Sequence, residues 1–265
     1  MKNRVICLLV IGDKYQKQYE KLKHVFSDYA VKCDADLCVV REPLDPTFHR
    51  PLLSQKLLVP SQFLDYEIGL FLDLDIIISN HTPSIFEYLP KDKSFGAILD
   101  PRHTLKFNET WKHIPRILEE STCDYFTDRN FEYNENLQGS INGGVFIFRP
   151  KEVAILFSDY YYSDHNQGEL NSFEETPMAY ITQINNLFES IDLRFNTQIL
   201  YELKGTEEGK KVLETEKKIP KFIRKYYYKK TKNIFYPTKA YKRFIKDKLN
   251  ESYFLHFAGS FPVIY

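Results

Sequence analysis

Apolar positions over the first hundred residues alternate between continuous runs and rows at helical spacing. Residues 5–11 form an unbroken apolar run, as expected of a strand buried on both faces. Lys2 and Arg4 ahead of it mimic the start of a signal peptide. No small-residue cleavage site follows, and Asp13-Lys14 comes at once, so a first core strand is expected. Residues 15–29 place Tyr15, Tyr19, Leu22, Val25, Phe26 and Tyr29 at helical spacing. Residues 36–40 predict a second strand. Residues 52–64 predict a second helix, with Pro60 as a kink or border. Residues 69–72 and 95–99 predict the third and fourth strands.

This β-α-β-α-β opening predicts an α/β chain, a Rossmann-like, mostly parallel central sheet with helices on both faces. Such sheets bind nucleotides beyond the carboxyl ends of their strands. No G-x-G-x-x-G follows the first strand and no G-x-x-x-x-G-K-[ST] occurs, which argues against a dinucleotide fold or a P-loop NTPase. Residues 101–140 are polar and aromatic, suiting an active-site loop region with one short helix. A strand at 145–148 follows Asn142-Gly143-Gly144. Helices are expected at 152–162 and 177–188, a short strand at 191–195, and a closing strand at 253–257. With no repeat and no low-complexity linker, one domain with a helical insertion is expected.

Composition changes this picture at one place. Across 265 residues, 36 Lys and Arg balance 36 Asp and Glu, yet residues 204–248 hold 14 Lys and 2 Arg against 4 Glu and 1 Asp, a net charge of +11. Tyr226, Tyr227, Tyr228, Phe235, Tyr236 and Tyr241 are interleaved. Such a segment either faces an anionic partner, with peripheral membrane contact the reading kept and nucleic acid not expected, or is a solvated helical insertion. Cys7, Cys33, Cys38 and Cys123 show no metal-ligand spacing and suit free thiols in a reducing, cytoplasmic setting. No apolar stretch approaches the ~20 residues of a membrane helix.

The strongest chemical signal is Leu70-Phe71-Leu72-Asp73-Leu74-Asp75-Ile76-Ile77-Ile78. Two carboxylates one residue apart, at the end of an otherwise apolar strand, are costly unless a cation compensates them. Oxygen ligands suit Mg²⁺ or Mn²⁺, whose shells are completed by substrate phosphates.

Phe71-Leu72-Asp73-Leu74-Asp75 resembles the D-x-D motif of A-type nucleotide-sugar glycosyltransferases. Residues 141–150 are similar to the N-[SG]-G-V-hydrophobic strand of the glycogenin-like, family-eight retaining enzymes. Glu175-Thr176, Met178 and Tyr180, with Asp192, Arg194, Phe195 and Asn196, resemble their D-Q-x-x-L-N and Y/F-N stretches. His256-Phe257-Ala258-Gly259 resembles their H-x-x-G motif. The matches span residues 5–259.

The resemblance implies an A-type fold and a hexosyltransferase that uses a UDP-sugar and Mn²⁺ (or Mg²⁺). Residues 1–100 would be the nucleotide-binding half, 101–200 the sugar and acceptor half, 204–248 the insertion and 253–259 the closing strand. Asp73, Asp75 and His256 would bind the metal, with Leu74 in the same donor-binding motif. Gly12 and Tyr15 would lie by the base and ribose, Lys56 by the sugar or phosphates, Gly143 on the sugar and acceptor side with Gly144 beside it at the donor, and Gly259 would let backbone approach the phosphates closely. Asn142 and Glu175 would serve the sugar and acceptor as the catalytic pair. The implied reaction transfers the sugar to an acceptor hydroxyl on a glycan, glycolipid or protein, with retention. Either attack comes from the leaving-group face, or Glu175 forms a covalent intermediate. The family commonly carries a Lys shortly after H-x-x-G. Here Ser260-Phe261-Pro262-Val263 stand instead, so Lys56, Arg102 or the basic segment would supply that charge. A nucleotidyltransferase would need a Gly-rich basic loop after the first strand, for which Gly12-Asp13-Lys14 is too sparse. A non-catalytic binding protein would leave Asp73 and Asp75 without a purpose.

Overall fold

The N-terminal apolar run forms β1 (Arg4–Leu9), and Val5, Ile6, Cys7 and Leu8 are fully buried. The computed structural model describes residues 3–100, 120–258 and 261–263. Gly12, at φ 89°, turns the chain into α1 (Asp13–Lys32), a conformation that strains any side chain. Tyr19, Leu22, Phe26, Tyr29 and Ala30 recur three and four apart along α1, which packs against β2 (Asp36–Val40). With β3 (Ile68–Leu72), β5 (Phe95–Leu99), β6 (Ile141–Phe148) and β7 (Phe188–Ser190) these strands form one sheet, ordered β2-β1-β3-β6-β5-β7. β1 is parallel to β2 and β3, and β5 to β7, while β6 runs antiparallel to both its neighbours. The sheet is thus mostly parallel, as expected.

Its core is aromatic. Phe71 stacks on Phe146 at 4.8 Å, Phe146 on Phe95 at 5.6 Å, and Phe157 meets Phe95 edge-on at 5.5 Å. Phe157 belongs to α3 (Pro150–Tyr162), which begins with proline where no N–H is needed. Before it comes α2 (Thr122–Thr127), capped by the Ser121 hydroxyl, and after it α4 (Glu175–Ile184).

The chain divides into two compact units, Met1–Leu74 with Ser84–Asp192, and Asp75–Pro83 with Leu193–Tyr265. The sheet above belongs to the first. The second holds a three-stranded sheet, β4 (Ile76–Ile78), β9 (Phe254–His256) and β8 (Thr197–Gln198), in that order. Four helices complete it: α5 (Ile199–Gly205), α6 (Glu207–Lys217), α7 (Lys221–Thr231) and α8 (Lys239–Glu251). Thr206 and Thr238 cap α6 and α8, each hydroxyl accepting a backbone N–H of the first turn.

Several expectations change. The helix expected at 52–64 is two 3₁₀ stretches, Leu52–Leu58 and Pro60–Gln62. Pro60 has no N–H to extend an α-helix, and the Gln55 side chain is held by the Asp45 backbone through bonds of 3.1 and 2.8 Å. The helix expected at 177–188 starts at Glu175 and ends at Ile184, where Asn186 turns left-handed at φ 55°. Phe188 then opens β7, so the strand expected at 191–195 lies earlier, and Leu193–Asn196 is 3₁₀. The residues form two compact units, and the basic segment builds the second unit's core. Val212, Phe235, Tyr241, Phe244 and Ile245 pack there with Ile77, Ile199, Leu203, Leu255 and Phe257. Of the loop expected at 101–140, residues 101–119, including Arg102, lie outside the described residues, as does Gly259. Among the described residues, no helix is long and apolar enough to cross a membrane.

Candidate functional site

In the first unit the site is built at the carboxyl end of β3. The Asp73 N–H continues the ladder with β6, donating to the Gly144 carbonyl at 2.8 Å. The chain turns at Leu74, which is buried and whose carbonyl accepts from Gln18 on α1 at 2.9 Å.

Lys56 is the hub. Its buried ammonium donates to Asp73 Oδ2 at 3.1 Å and to the Gly143 carbonyl at 3.1 Å, and pairs with Glu174 Oε1 at 2.9 Å. Burial opposes its charge, but the carboxylates of Asp73 and Glu174 outweigh that and hold the ammonium well above the ordinary lysine range. Glu174 is pushed up by burial, which the Lys56 charge only partly offsets. The 3₁₀ stretch carrying Lys56 is tied through the Gln55 side chain to the backbone of Asp45. The Asp45 carboxylate in turn folds its own loop, accepting from the Thr47 N–H and hydroxyl, the His49 N–H and the Tyr161 hydroxyl, at 2.6 to 2.9 Å.

Beside Lys56, Glu175 Oε1 accepts from the Gly143 N–H at 3.0 Å and from Asn142 Nδ2 at 3.4 Å, and Asn142 Oδ1 accepts from the Gly144 N–H at 3.1 Å. Gly143 is required here: a Cβ would lie 2.8 Å from Glu174 Oε1 and 3.2 Å from Glu175 Cγ.

In the second unit, β9 delivers His256 beside Asp75. Ile76 on β4 and Gln198 on β8 flank the histidine in register, and the Phe257 N–H donates to the Asp75 carbonyl at 2.9 Å. His256 Nε2 lies 3.3 Å from Asp75 Oδ1, and its Nδ1 meets Asn196 Oδ1 at 2.8 Å. With the amide oxygen accepting from Nδ1, a neutral ring turns its Nε2 lone pair on the carboxylate. That arrangement repels unless a cation sits between, either a proton or a metal ion.

The structure therefore brings together Lys56, Asp73, Asn142, Gly143, Gly144 and Glu175 in one unit, and Asp75 with His256 in the other. Gly12 and Tyr15 sit at the start of α1, past the end of β1. Tyr15 is 39% exposed, with the Lys14 ammonium 5.4 Å from its ring, and among the described residues neither bonds to the Lys56 cluster. Sequence reasoning missed Glu174, and it quoted Asn196 without giving it a role. Glu174 gave no local signal, because adjacent glutamates at a helix start look alike until one is buried.

No protein-family model and no curated protein sequence matches the chain. Solved structures do. A glycosyltransferase involved in glycosylation of the major capsid of PBCV-1 is 14% identical, with 96% of this chain and 93% of that one covered and a TM-score of 0.51. The galactosyltransferase LgtC, in complex with donor and acceptor sugar analogs, is 10% identical, with 96% and 87% covered and a TM-score of 0.52. The bifunctional glycosyltransferase WbbM is 11% identical, with 97% of this chain and 46% of that one covered and a TM-score of 0.51. At such identities the likeness establishes the fold, which is the A-type glycosyltransferase fold.

Proposed function

We propose that the chain is a metal-dependent glycosyltransferase that moves a sugar from a UDP-sugar to an acceptor hydroxyl with retention. The observation that carries this reading is the Asp75–His256 pair, 3.3 Å apart with Asn196 behind the ring, on an A-type glycosyltransferase fold. Asp73, separated from Asp75 by Leu74 alone, completes a donor set of two carboxylates and one imidazole. That set fits Mn²⁺, which takes imidazole beside oxygen ligands more readily than Mg²⁺. A divalent cation held there supplies positive charge against the departing diphosphate.

The remaining work falls to the chain. Asn196 orients the imidazole so that Nε2 faces Asp75. Lys56 holds the Asp73 carboxylate and anchors Glu174 at the same time. Glu175, fixed by the Gly143 N–H, and Asn142 are assigned to the sugar and acceptor hydroxyls.

Thermal unfolding tests this reading. UDP should raise the melting temperature only with Mn²⁺ present. Stabilisation by a nucleoside triphosphate instead would favour a nucleotidyltransferase, and no nucleotide response would favour a binding protein. A panel of nucleotide sugars assayed for hydrolysis then identifies the donor. Asp75→Ala is expected to lower turnover of that donor by about 10²–10³-fold. Unchanged turnover overturns the metal role.

A further inference from the structure

Within the basic segment, α6 and α8 each turn a face into the second unit's core, burying Val212 and Glu216 on one and Tyr241, Phe244 and Ile245 on the other. α7 buries nothing. Its sequence, KFIRKYYYKKT, carries five cations and no acid. Lys221, Lys225 and Lys229 stand four apart in one row, and Phe222, Tyr226 and Lys230 in the row beside it. All six are exposed, Phe222 at 73% and Tyr226 at 69%. The opposite side is the anchored one. There Arg224 reaches Glu216 at 3.5 Å, and the Tyr227 ring meets Tyr236 at 5.2 Å. Among the described residues, Lys221, Lys225, Lys229 and Lys230 have no ion-pair partner. Just past the helix, Ile234 is also exposed, at 63%.

We infer that the outward face of α7 docks on an anionic phospholipid bilayer, through Phe222 and Tyr226 between the ammonium groups of Lys221, Lys225, Lys229 and Lys230. The charge complementarity is direct, since a cationic face without a single carboxylate meets a sheet of headgroup phosphates. The rings identify which anionic surface fits. Phe222 and Tyr226 present an exposed aromatic pair that belongs at the headgroup–acyl boundary, while the lysine stems extend along it and keep their charges at the phosphates. The outward charges are all lysine, which suits diffuse phosphate attraction rather than the bidentate recognition arginine provides.

Co-sedimentation with phosphatidylcholine vesicles, with and without phosphatidylglycerol, tests this. The full chain should pellet only with the anionic vesicles and be released by salt. Lys225→Glu with Lys229→Glu should weaken partitioning by about 30-fold or more. Phe222→Ser with Tyr226→Ser keeps every charge and should still lower binding several-fold. All four positions are exposed, so circular dichroism of each variant should match the parent. Failure to pellet with anionic vesicles, binding that both double variants leave intact, or tighter binding to single-stranded polynucleotide than to vesicles would each overturn the proposal.

Discussion

Lys56 is where charge and burial meet most sharply. Removing its ammonium leaves Glu174 buried without a partner, a change that costs about 3–5 kcal/mol in comparable sites. Lys56→Met is therefore expected to destabilise the protein by that much at neutral pH. The deficit should shrink in acid, because Glu174, already pushed up by burial, takes a proton and loses its charge. Adding Glu174→Gln should recover much of the loss. The sign for the parent chain follows from the raised lysine. Its contribution is complete below the unfolded value of about 10.4 and disappears as pH rises through the still higher folded value. Urea unfolding of the single and double variants at neutral and acid pH decides the matter; a deficit that Glu174→Gln leaves untouched would refute the pairing. At this scale the sequence was partly legible. Asp73 and Asp75 stood out because they interrupt an apolar run, and His256 because it ends one. Glu174 stayed hidden: its partner is 118 positions away, and no local periodicity encodes a contact of that span.

Among the elements, β6 begins four residues before its expected start and β4 was not foreseen, while β1, β3 and β5 were read within a residue or two, because burial on both faces leaves one pattern for them. The 3₁₀ stretch at Leu52–Leu58 was not, since its apolar spacing also suits an α-helix and its geometry is set by Asp45. β7 was absorbed into a helix because Leu187 and Phe188 continue the row of α4 past the left-handed turn at Asn186. The Asp45 carboxylate makes the hold on its own loop, whose backbone grips Gln55, measurable. The Thr47 hydroxyl, helped by the His49 and Thr47 N–H groups and the Tyr161 hydroxyl, outweighs burial and holds its carboxyl down to about 2. A depressed carboxylate stabilises the fold above its unfolded value of about 3.9 and stops doing so as pH falls through the folded value. Asp45→Asn should thus be less stable than the parent at about pH 5, with the gap closing as pH approaches 2. A gap that stays constant over this range would show that the carboxylate is not what fixes the loop.

Over the whole molecule, 36 cations cancel 36 anions, and the sequence pI is about 7.0, so bulk charge forecasts no affinity for a polyanion. Distribution forecasts the opposite. Residues 204–248 carry +11 and the remainder −11, and exposed charges are felt over roughly 30 Å at 0.01 M salt but only about 10 Å at 0.1 M. In the same segment the lysines mask the spacing of Phe235, Tyr241 and Phe244, the residues that give the second unit a core. A molecule with this asymmetry is expected to bind a sulfonate matrix at pH 7 in low salt, despite its neutrality, and to elute as salt rises. Reversing Lys221, Lys225 and Lys229 to glutamate changes the net charge by −6, as does reversing Lys17, Lys91 and Lys151, which are exposed in the other unit. If placement governs binding, the first set abolishes retention and the second only trims it, because the matrix selects whichever face attracts it most strongly. Equal losses from the two sets would mean that net charge alone had set the behaviour, and the concentration of lysine on α7 would have no electrostatic consequence.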